Sequence, residues 1–231
     1  MLDRWLKFNQ FLFPQACLLC AASDGGELAI CQDCLTDLPR HTIDQCPQCA
    51  LPAYQNQLCG HCIASPPAFD TTNALFRYEF PVDAMLQRYK YQHLLNMAQT
   101  FAQMILNDLP NAKLPDLIIP MPLHPLRLKE RGFNQSLEIA RIVGKTLNIK
   151  VDAQVCSRIK PSPPQASLPL KERVKNMQSA FACNTTLDGL NIALIDDVMT
   201  TGASLNSLSK TVKKAGASNV ECWVVARTLP R

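Results

Sequence analysis

The chain has 231 residues, a hydrophobic fraction of 47% and a formal net charge of +4. This length predicts one or two globular domains with enough chain for a proper core. No apolar run reaches the roughly 18 residues that a membrane span needs, so we expect no membrane insertion. The N-terminal stretch MLDRWLKFNQFLF lacks a continuous apolar region and a small-residue cleavage site. We therefore interpret it as a short amphipathic helix and expect a cytoplasmic protein.

Eight of the eleven cysteines form four C-x-x-C pairs: Cys17/Cys20, Cys31/Cys34, Cys46/Cys49 and Cys59/Cys62. Disulfides are not expected in a reducing compartment, and four tandem copies without a surrounding βαβ pattern disfavour a redox motif. Two such thiolate pairs complete a tetrahedral zinc site, so the pattern predicts two zinc ions. An iron–sulfur centre is the alternative, because thiolate ligands suit both. The repeat favours sequential pairing of the cysteines over interleaved pairing.

The cysteine-rich segment ends at Ser65-Pro66-Pro67, just after the last C-x-x-C pair. We predict two domains: residues 1–67, with the N-terminal helix and the double C-x-x-C module that metal would have to fold, and residues 68–231. Between Gln15 and Pro67 there are five acidic residues and one arginine, a net of −4, so the rest carries +8. Nonspecific DNA binding relies on Lys and Arg. The second domain therefore has the charge that contact with nucleic acid would need, and the metal module is the better candidate for docking a protein or covering a cleft.

Strand and helix patterns alternate after the cysteine-rich segment. Strands are predicted at 74–80, 114–122, 151–159, 180–183, 190–196 and 220–227, and helices at 82–92, 94–109, 134–148 and 203–215. This alternation predicts an α/β fold with a mainly parallel sheet and helices on both faces. Ligands of such sheets bind beyond the carboxyl ends of the strands, so we expect Pro120–Leu123 and Asp196–Ser204 to line one cleft. The remaining cysteines, Cys156, Cys183 and Cys222, are expected to be small core residues.

The run IALIDDVMTTGAS at 192–204 joins a predicted buried strand to a predicted helix. Backbone N–H groups in its second half can wrap a phosphate, and the helix dipole favours negative charge there. Asp196 and Asp197 cannot bind that phosphate as well, because like charges repel, but they suit vicinal hydroxyls. The motif therefore predicts a ribose 5-phosphate site whose phosphate loop comprises Val198, Met199, Thr200, Thr201, Gly202, Ala203 and Ser204.

Two further segments carry candidate ligand residues. PMPLHPLRLKERGFNQS, at 120–136, places Arg127, Lys129 and Arg131 on a predicted irregular turn beyond Pro122 and Leu123. Cations there suit a pyrophosphate, whose charge must be neutralised before it departs. The segment 158–181 is long, polar and rich in proline, which is typical of a lid. Its predicted lid residues are Arg158, Lys160, Gln165 and Arg173.

The 192–204 motif resembles the phosphoribosyl-pyrophosphate (PRPP) signature of the type I phosphoribosyltransferases. This resemblance implies that the ribose hydroxyls are held by the catalytic pair Asp196 and Asp197, and that Mg²⁺ enters with PRPP. With the tandem C-x-x-C pairs and RGFNQS, the chain from about residue 14 onward resembles the competence protein F (ComF) family. Membership implies a role in natural transformation, uptake of single-stranded DNA and partners in the competence machinery. Lys90 matches a lysine of the family's pattern, whereas the basic loop has fewer arginines than the family often carries.

Three functional hypotheses follow. In the first, the chain is an enzyme: a nucleophile attacks the anomeric carbon of PRPP and pyrophosphate leaves. In the second, the same loop binds PRPP without turnover and senses metabolic state. In the third, the chain is a DNA-binding adaptor with a vestigial cleft. The sequence shows no general base and no segment that would recognise an acceptor.

Overall fold

A computed structural model describes residues 15–41, 44–91, 94, 96–109, 113–160 and 180–230. The predicted N-terminal helix and the predicted lid residues Gln165 and Arg173 lie outside these residues. The described strands are β1 (Thr71–Arg77), β2 (Leu117–Pro120), β3 (Cys156–Arg158), β4 (Phe181–Cys183), β5 (Asn191–Met199) and β6 (Asn219–Arg227).

Four of these strands form the central sheet, in the order β1–β6–β5–β2, and all three pairings are parallel. β5 lies in the interior of the sheet and extends to Met199, so the acid pair belongs to the strand rather than to the turn after it. The predicted mainly parallel α/β sheet is confirmed.

The stretches 151–159 and 180–183 do not join the central sheet as full strands. β3 and β4 instead pair antiparallel in a small sheet of their own, and only Val151 forms a bridge to Ile118. The side chain of Asp152 explains the turn between the two, because its Oδ1 accepts from the N–H groups of Gln154 at 2.9 Å and Val155 at 3.2 Å. This local turn redirects the chain before β3 begins.

Helices flank the sheet. Their bounds are α1 (Gln32–Thr36), α2 (Gly60–Ala64), α3 (Val82–Tyr91), α4 (Asn96–Asp108), α5 (Pro125–Arg131), α6 (Gln135–Leu147) and α7 (Ala203–Lys214). The irregular turn expected at 127–131 was wrong, because these residues form α5. His124 caps that helix by accepting from Leu126 N–H, Pro125 begins it, and Gly132 ends it with a φ of 79°.

The core has one layer on each face of the sheet. Ala193 and Ile195 of β5 contact the layer that holds α3, α4 and α6. Ile192 and Leu194 point to the opposite layer, with α7 and β4. Side chains alternate between the two faces of a strand, and all four of these are buried, as expected of a sheet covered on both sides.

The cysteine-rich segment packs against both layers. Cys17 and Cys31 belong to the apolar cluster of α3 and α4, whereas Cys46 and Cys49 belong to the cluster of β1 and α7. The domain boundary after Pro67 stays a prediction, and across it the apolar contacts are continuous. Within the described residues, no helix has the length and apolar character needed to cross a membrane.

Candidate functional site

The C-x-x-C cysteines gather into two groups of four, and within each group the sulfur atoms all lie within 4.8 Å of one another. The groups follow the order of the chain, so sequential pairing is confirmed: the first centre comprises Cys17, Cys20, Cys31 and Cys34, and the second Cys46, Cys49, Cys59 and Cys62. The Sγ atoms of Cys20 and Cys31 lie 3.6 Å apart, as do those of Cys49 and Cys59. Tetrahedral zinc with Zn–S bonds of about 2.3 Å separates its sulfurs by about 3.8 Å.

The ionisation of these thiols also fits a bound cation. Burial acts to raise the pKa of Cys17, but backbone N–H groups of Cys20, Cys31 and Leu19 outweigh it and lower the pKa to about 6. In the second centre, burial and the neighbouring cysteines raise the pKa of Cys62. In each centre the pKa of one thiol is lowered, at Cys17 and Cys46, and the pKa of two others is raised, so those two keep their protons until a positive ion offsets the repulsion. Four thiolate ligands per centre fit one zinc ion each.

The two predicted ligand segments lie side by side at the carboxyl edge of the sheet. β2 and β5 are neighbours, with Pro120 opposite Ile195, and Met121 N–H donates to the Ile195 carbonyl at 2.8 Å. The segment with Pro122 and Leu123 therefore emerges next to the strand that carries the acid pair. This is the arrangement that one shared cleft requires.

The acid pair is buried, with Asp196 8% and Asp197 4% exposed. Ser136 Oγ donates to Asp196 Oδ1 at 3.0 Å, and Gln135 Nε2 donates to Asp197 Oδ1 at 3.4 Å. The Nζ of Lys90 forms an ion pair with Asp197 Oδ2. α6 thus contacts both carboxyl groups, and α3 contacts Asp197 as well.

The motif RGFNQS explains two of these partners. Asn134 caps α6 by accepting from Ser136 N–H at 3.0 Å and from Leu137 N–H at 3.3 Å, and its amide donates to the Met121 carbonyl at 3.1 Å. The positive end of α6 is thereby tied to the segment after β2 and faces the acids. Arg131 Nη1 donates to Gln135 Oε1 at 2.6 Å, which turns the amide nitrogen of Gln135 toward Asp197.

Lys90 reaches the pair because α3 is firmly anchored. The preceding residue, Tyr89, is fully buried, donates from its hydroxyl to the Gln135 carbonyl at 2.9 Å, and has ring contacts to Phe101 and Phe133. Burial acts to lower the pKa of Lys90, but Asp197 outweighs it and raises that pKa. Lys90 is therefore an ammonium.

The two carboxyl groups differ in protonation. Burial acts to raise the pKa of Asp197, but the charge and hydrogen bonding of Lys90 outweigh it, so the pKa lies below its usual range. Burial and the neighbouring charge of Asp197 raise the pKa of Asp196 to about 8. The pair thus carries one firm negative charge and one proton-binding carboxyl group.

The predicted phosphate loop forms a tight turn into α7. Gly202 has a φ of 75°, and a Cβ at this position would lie 2.7 Å from Met199 Cε. Ala203 N–H donates to Thr201 Oγ1 at 3.3 Å, and Thr200 and Thr201 are exposed. A buried arginine at the end of β6, Arg227, donates to the carbonyls of Met199 and Thr200.

Three cations of the cleft converge. Lys90, Arg127 and Arg131, with Tyr91 and Glu130, line a small cavity of about 70 Å³. Arg127 pairs with Glu130 at 3.1 Å, and the Arg131 guanidinium lies 5.6 Å from the centre of the Tyr91 ring. Lys129 is exposed and does not line this cavity.

Of the predicted lid residues, the structure describes Arg158 and Lys160. Arg158 ends β3 with its guanidinium 5.3 Å from the centre of the Phe181 ring. Burial lowers the pKa of Arg158, the charge of Asp196 raises it and that of Arg127 lowers it. Arg158 therefore lies close enough to Asp196 and to Arg127 of α5 for their charges to act on it. Lys160 is exposed.

A larger groove adjoins the phosphate loop. It has a volume of about 1410 Å³ and is lined by the loop, by α7, by Cys49 and Cys62 of the second cysteine centre, and by His61. Neither Asp196 nor Asp197 lines it. The loop therefore contacts the acid pair on one side and a separate groove on the other.

Comparison with known proteins decides the family. Residues 8–63 match the double zinc ribbon domain family. The chain is 30% identical over 227 residues to DNA utilization protein YhgH of Salmonella typhimurium, covering 94% of this chain and 98% of that protein. It is 31% identical over 183 residues to competence protein F of Haemophilus influenzae, covering 75% and 80% respectively. The chain belongs to the competence protein F family.

The family resemblance read from the sequence is thus confirmed, as is the zinc ribbon. A purine phosphoribosyltransferase from Pyrococcus horikoshii superposes with a TM-score of 0.33 and 16% identity, over 68% of this chain and 87% of that one. A likeness of that strength carries no argument about this competence-family chain.

Sequence reasoning missed Gln135, Ser136 and Arg227. The first two had a signal, since two polar residues open an amphipathic helix beside a capping asparagine. Arg227 had none, because it is the last residue of an apolar strand and donates to backbone carbonyls, which any residue type provides.

We expect the purified competence-family protein to contain two zinc ions per chain, measured by inductively coupled plasma mass spectrometry. Cys20→Ser and Cys59→Ser, one in each centre, should each lower the content to one ion, because each centre is separate. Visible absorbance of an iron–sulfur cluster, or loss of both ions from either variant, would contradict this assignment.

We expect Lys90→Met to lower the free energy of unfolding by about 3 kcal/mol or more, because it leaves the Asp197 carboxylate buried without its partner. The matched control is Lys150→Met, which removes an exposed ion pair with Asp152 and should change stability little. Urea denaturation measures the free energy of unfolding of both variants. Equal decreases would show that the ion pair between Lys90 and Asp197 stabilises the fold no more than the exposed pair does.

Asp196 should make stability depend on pH. Its raised folded-state pKa gives stability that is fully present below the unfolded value of 3.8 and is lost as the pH rises through about 8. Asparagine imitates the protonated acid and avoids this loss. From about pH 6 to about pH 8.5, we expect Asp196→Asn to gain on the order of 2 kcal/mol over the parent chain in urea denaturation.

Asp116→Asn is the control for this pH series. Hydrogen bonds from Asn191 lower the pKa of Asp116, so its contribution is present above the unfolded pKa and is lost only as the pH falls through the folded value. Asp116→Asn should therefore lower stability by the same amount at both pH values. An Asp196→Asn difference that does not grow with pH would refute the raised pKa.

Proposed function

We propose that this competence-family chain binds PRPP with Mg²⁺ at the carboxyl edge of its sheet and acts as a phosphoribosyltransferase-type protein in DNA uptake. One observation carries the proposal: a buried, anchored acid pair immediately precedes a glycine turn at the start of α7. Asp196 and Asp197 supply acceptors for the ribose 2- and 3-hydroxyls. The N–H groups of 198–204 and the positive end of α7 receive the 5-phosphate.

The pyrophosphate has a separate set of partners. Lys90, Arg127 and Arg131 surround the small cavity beside the acid pair, and Arg158 is within reach of the same region. Pyrophosphate is strongly anionic, and Mg²⁺ is held by phosphate oxygens with one or two carboxylates. Lys90 thus neutralises Asp197 in the free protein and faces the pyrophosphate when PRPP is bound.

The helix α5, which stands where the sequence predicted an irregular turn, supports a pyrophosphate site formed by these cations. A helix with its cap at His124 fixes Arg127 and Arg131 on the side that faces Lys90, while Lys129 is exposed. We therefore assign the pyrophosphate to Arg127 and Arg131 and give Lys129 a minor, long-range role.

The proposed transfer is a displacement reaction at the ribose of PRPP. A nucleophile attacks the anomeric carbon, the bond from that carbon to pyrophosphate breaks, and the pyrophosphate leaves with Mg²⁺. The chain contributes positioning by the acid pair and loop, and neutralisation by the cations. PRPP binding without turnover is the alternative, and release of pyrophosphate separates the two.

The proposed role in DNA uptake rests on the relatives. One is named a DNA utilization protein and another competence protein F, and both align over most of this chain. The positive charge of the chain lies outside the cysteine module, which favours residues 68–231 for any contact with single-stranded DNA. We place the protein in the cytoplasm with the competence machinery, where thiols stay reduced for zinc.

Isothermal titration of the full chain with PRPP and Mg²⁺ tests the proposal. We expect saturable one-to-one binding, and a loss of about tenfold or more for Asp197→Asn, because a carboxylate acceptor of the ribose hydroxyls is removed. Asp116→Asn, which alters an acid at the amino edge of the sheet, should bind like the parent. Pyrophosphate release is followed in parallel with a panel of nucleobases as acceptors.

Absence of PRPP binding by the parent chain would overturn the proposal. Binding with no pyrophosphate release for any acceptor would favour the sensing alternative. A labelled oligonucleotide, titrated at several salt concentrations, covers the adaptor hypothesis, which predicts salt-sensitive binding that is unaffected by Asp197→Asn.

A further inference from the structure

Arg227 spans the second cysteine centre and the phosphate loop. The side chain belongs to the last residue of β6 and is buried, with the residue 3% exposed. Its Nε donates to the carbonyl of Cys49 at 3.0 Å. Its Nη1 donates to the carbonyl of Met199 at 3.0 Å and to that of Thr200. One guanidinium therefore connects a zinc-ligand residue with two consecutive carbonyls of the loop.

The charge of Arg227 needs a partner. A buried arginine is usually paired with a carboxylate, yet among the described residues Arg227 forms no ion pair with Asp or Glu. One Zn²⁺ with four thiolates carries a net charge of 2 − 4 = −2. The second zinc centre adjoins this guanidinium through Cys49, so it is a source of negative charge for Arg227.

The carbonyls that Arg227 holds decide where the loop N–H groups point. A peptide unit is planar and trans, so its C=O and N–H point in opposite directions. Fixing the carbonyls of Met199 and Thr200 toward Arg227 therefore turns the N–H groups of Thr200 and Thr201 away from it. Those two N–H groups belong to the segment proposed to bind the 5-phosphate.

We propose that the second zinc centre, acting through Arg227, holds the phosphate loop in its ligand-binding form. Zinc at this centre provides the counter-charge for Arg227, and Arg227 fixes the loop. Arg227 is a positioning residue that does not touch the ligand. The identity of that ligand rests on the proposed function, whereas the link between zinc centre and loop does not.

The first test uses hydrogen–deuterium exchange and PRPP·Mg²⁺ titration on the full chain. Arg227→Lys keeps the charge but loses the planar fork that reaches both partners. We expect about tenfold faster exchange in peptides covering 199–203 and about tenfold weaker PRPP binding, with both zinc ions retained. Thr72→Val is the matched control. Thr72 Oγ1 donates at 2.7 Å to the carbonyl of Gln48, which lies between the zinc-ligand residues Cys46 and Cys49, and no hydrogen bond joins it to the loop. It should change neither quantity.

The second test needs no change at Arg227. Cys59→Ser weakens the second centre and Cys20→Ser the first, and both are compared by exchange at 199–203. We expect faster exchange in the loop for Cys59→Ser alone. Exchange in β2 and α6 serves as the internal standard, so general unfolding is distinguished from a local effect.

The outcomes are decisive. Unchanged loop exchange in both Arg227→Lys and Cys59→Ser overturns the proposal, and so does equal acceleration in Thr72→Val or Cys20→Ser. If the parent chain binds no PRPP while loop exchange still responds to Arg227 and to the second centre alone, the proposed function fails and the zinc-to-loop link stands.

Discussion

The placement of two adjacent carboxyl groups at the buried end of β5 constrains much of the surrounding structure. Such a pair loses hydration and suffers mutual repulsion unless other elements supply partners. α3 supplies the ammonium of Lys90, and α6 supplies Ser136, Gln135 and its positive end. The orientation of both helices follows from this need: Tyr89 anchors α3 through the carbonyl of Gln135, so the two helices that hold the acids also hold each other.

The acid pair also lowers the stability of the free protein as the pH rises toward about 8, because the pKa of Asp196 is raised. Burial raises the pKa of Asp196, so the folded chain would be more stable with a neutral amide at this position. Under the proposed function, the ribose hydroxyls of the ligand offset this cost by donating to the remaining oxygen lone pairs of Asp196 and Asp197.

The sequence predicted what depends on local pattern. The C-x-x-C spacing predicted both metal centres, and alternating apolar runs predicted the parallel sheet with β5 and its acid pair. It did not predict α5, because His124 as a cap is recognised only from its geometry, or the separate β3–β4 sheet, because the Asp152 turn overrides the strand pattern. The contact of Lys90 with Asp197 spans more than a hundred residues of chain, and no local pattern encodes it. Arg227 donates to carbonyls, which leave no mark in the sequence.

The two cysteine centres contact different parts of the candidate site. The first lies against α3 and α4, where Thr100 Oγ1 donates to Leu28 O at 2.8 Å and Arg88 to Leu18 O at 3.4 Å, so it contacts the helix that carries Lys90. The second lies against β1, β6 and the phosphate loop, which it meets through Arg227. The cysteine-rich segment thus contacts the candidate site from two sides, the first centre at α3 and the second at the turn into α7. Because the cysteines of both centres share the apolar clusters that cover the sheet, metal binding at these centres is expected to stabilise the elements that carry the candidate site.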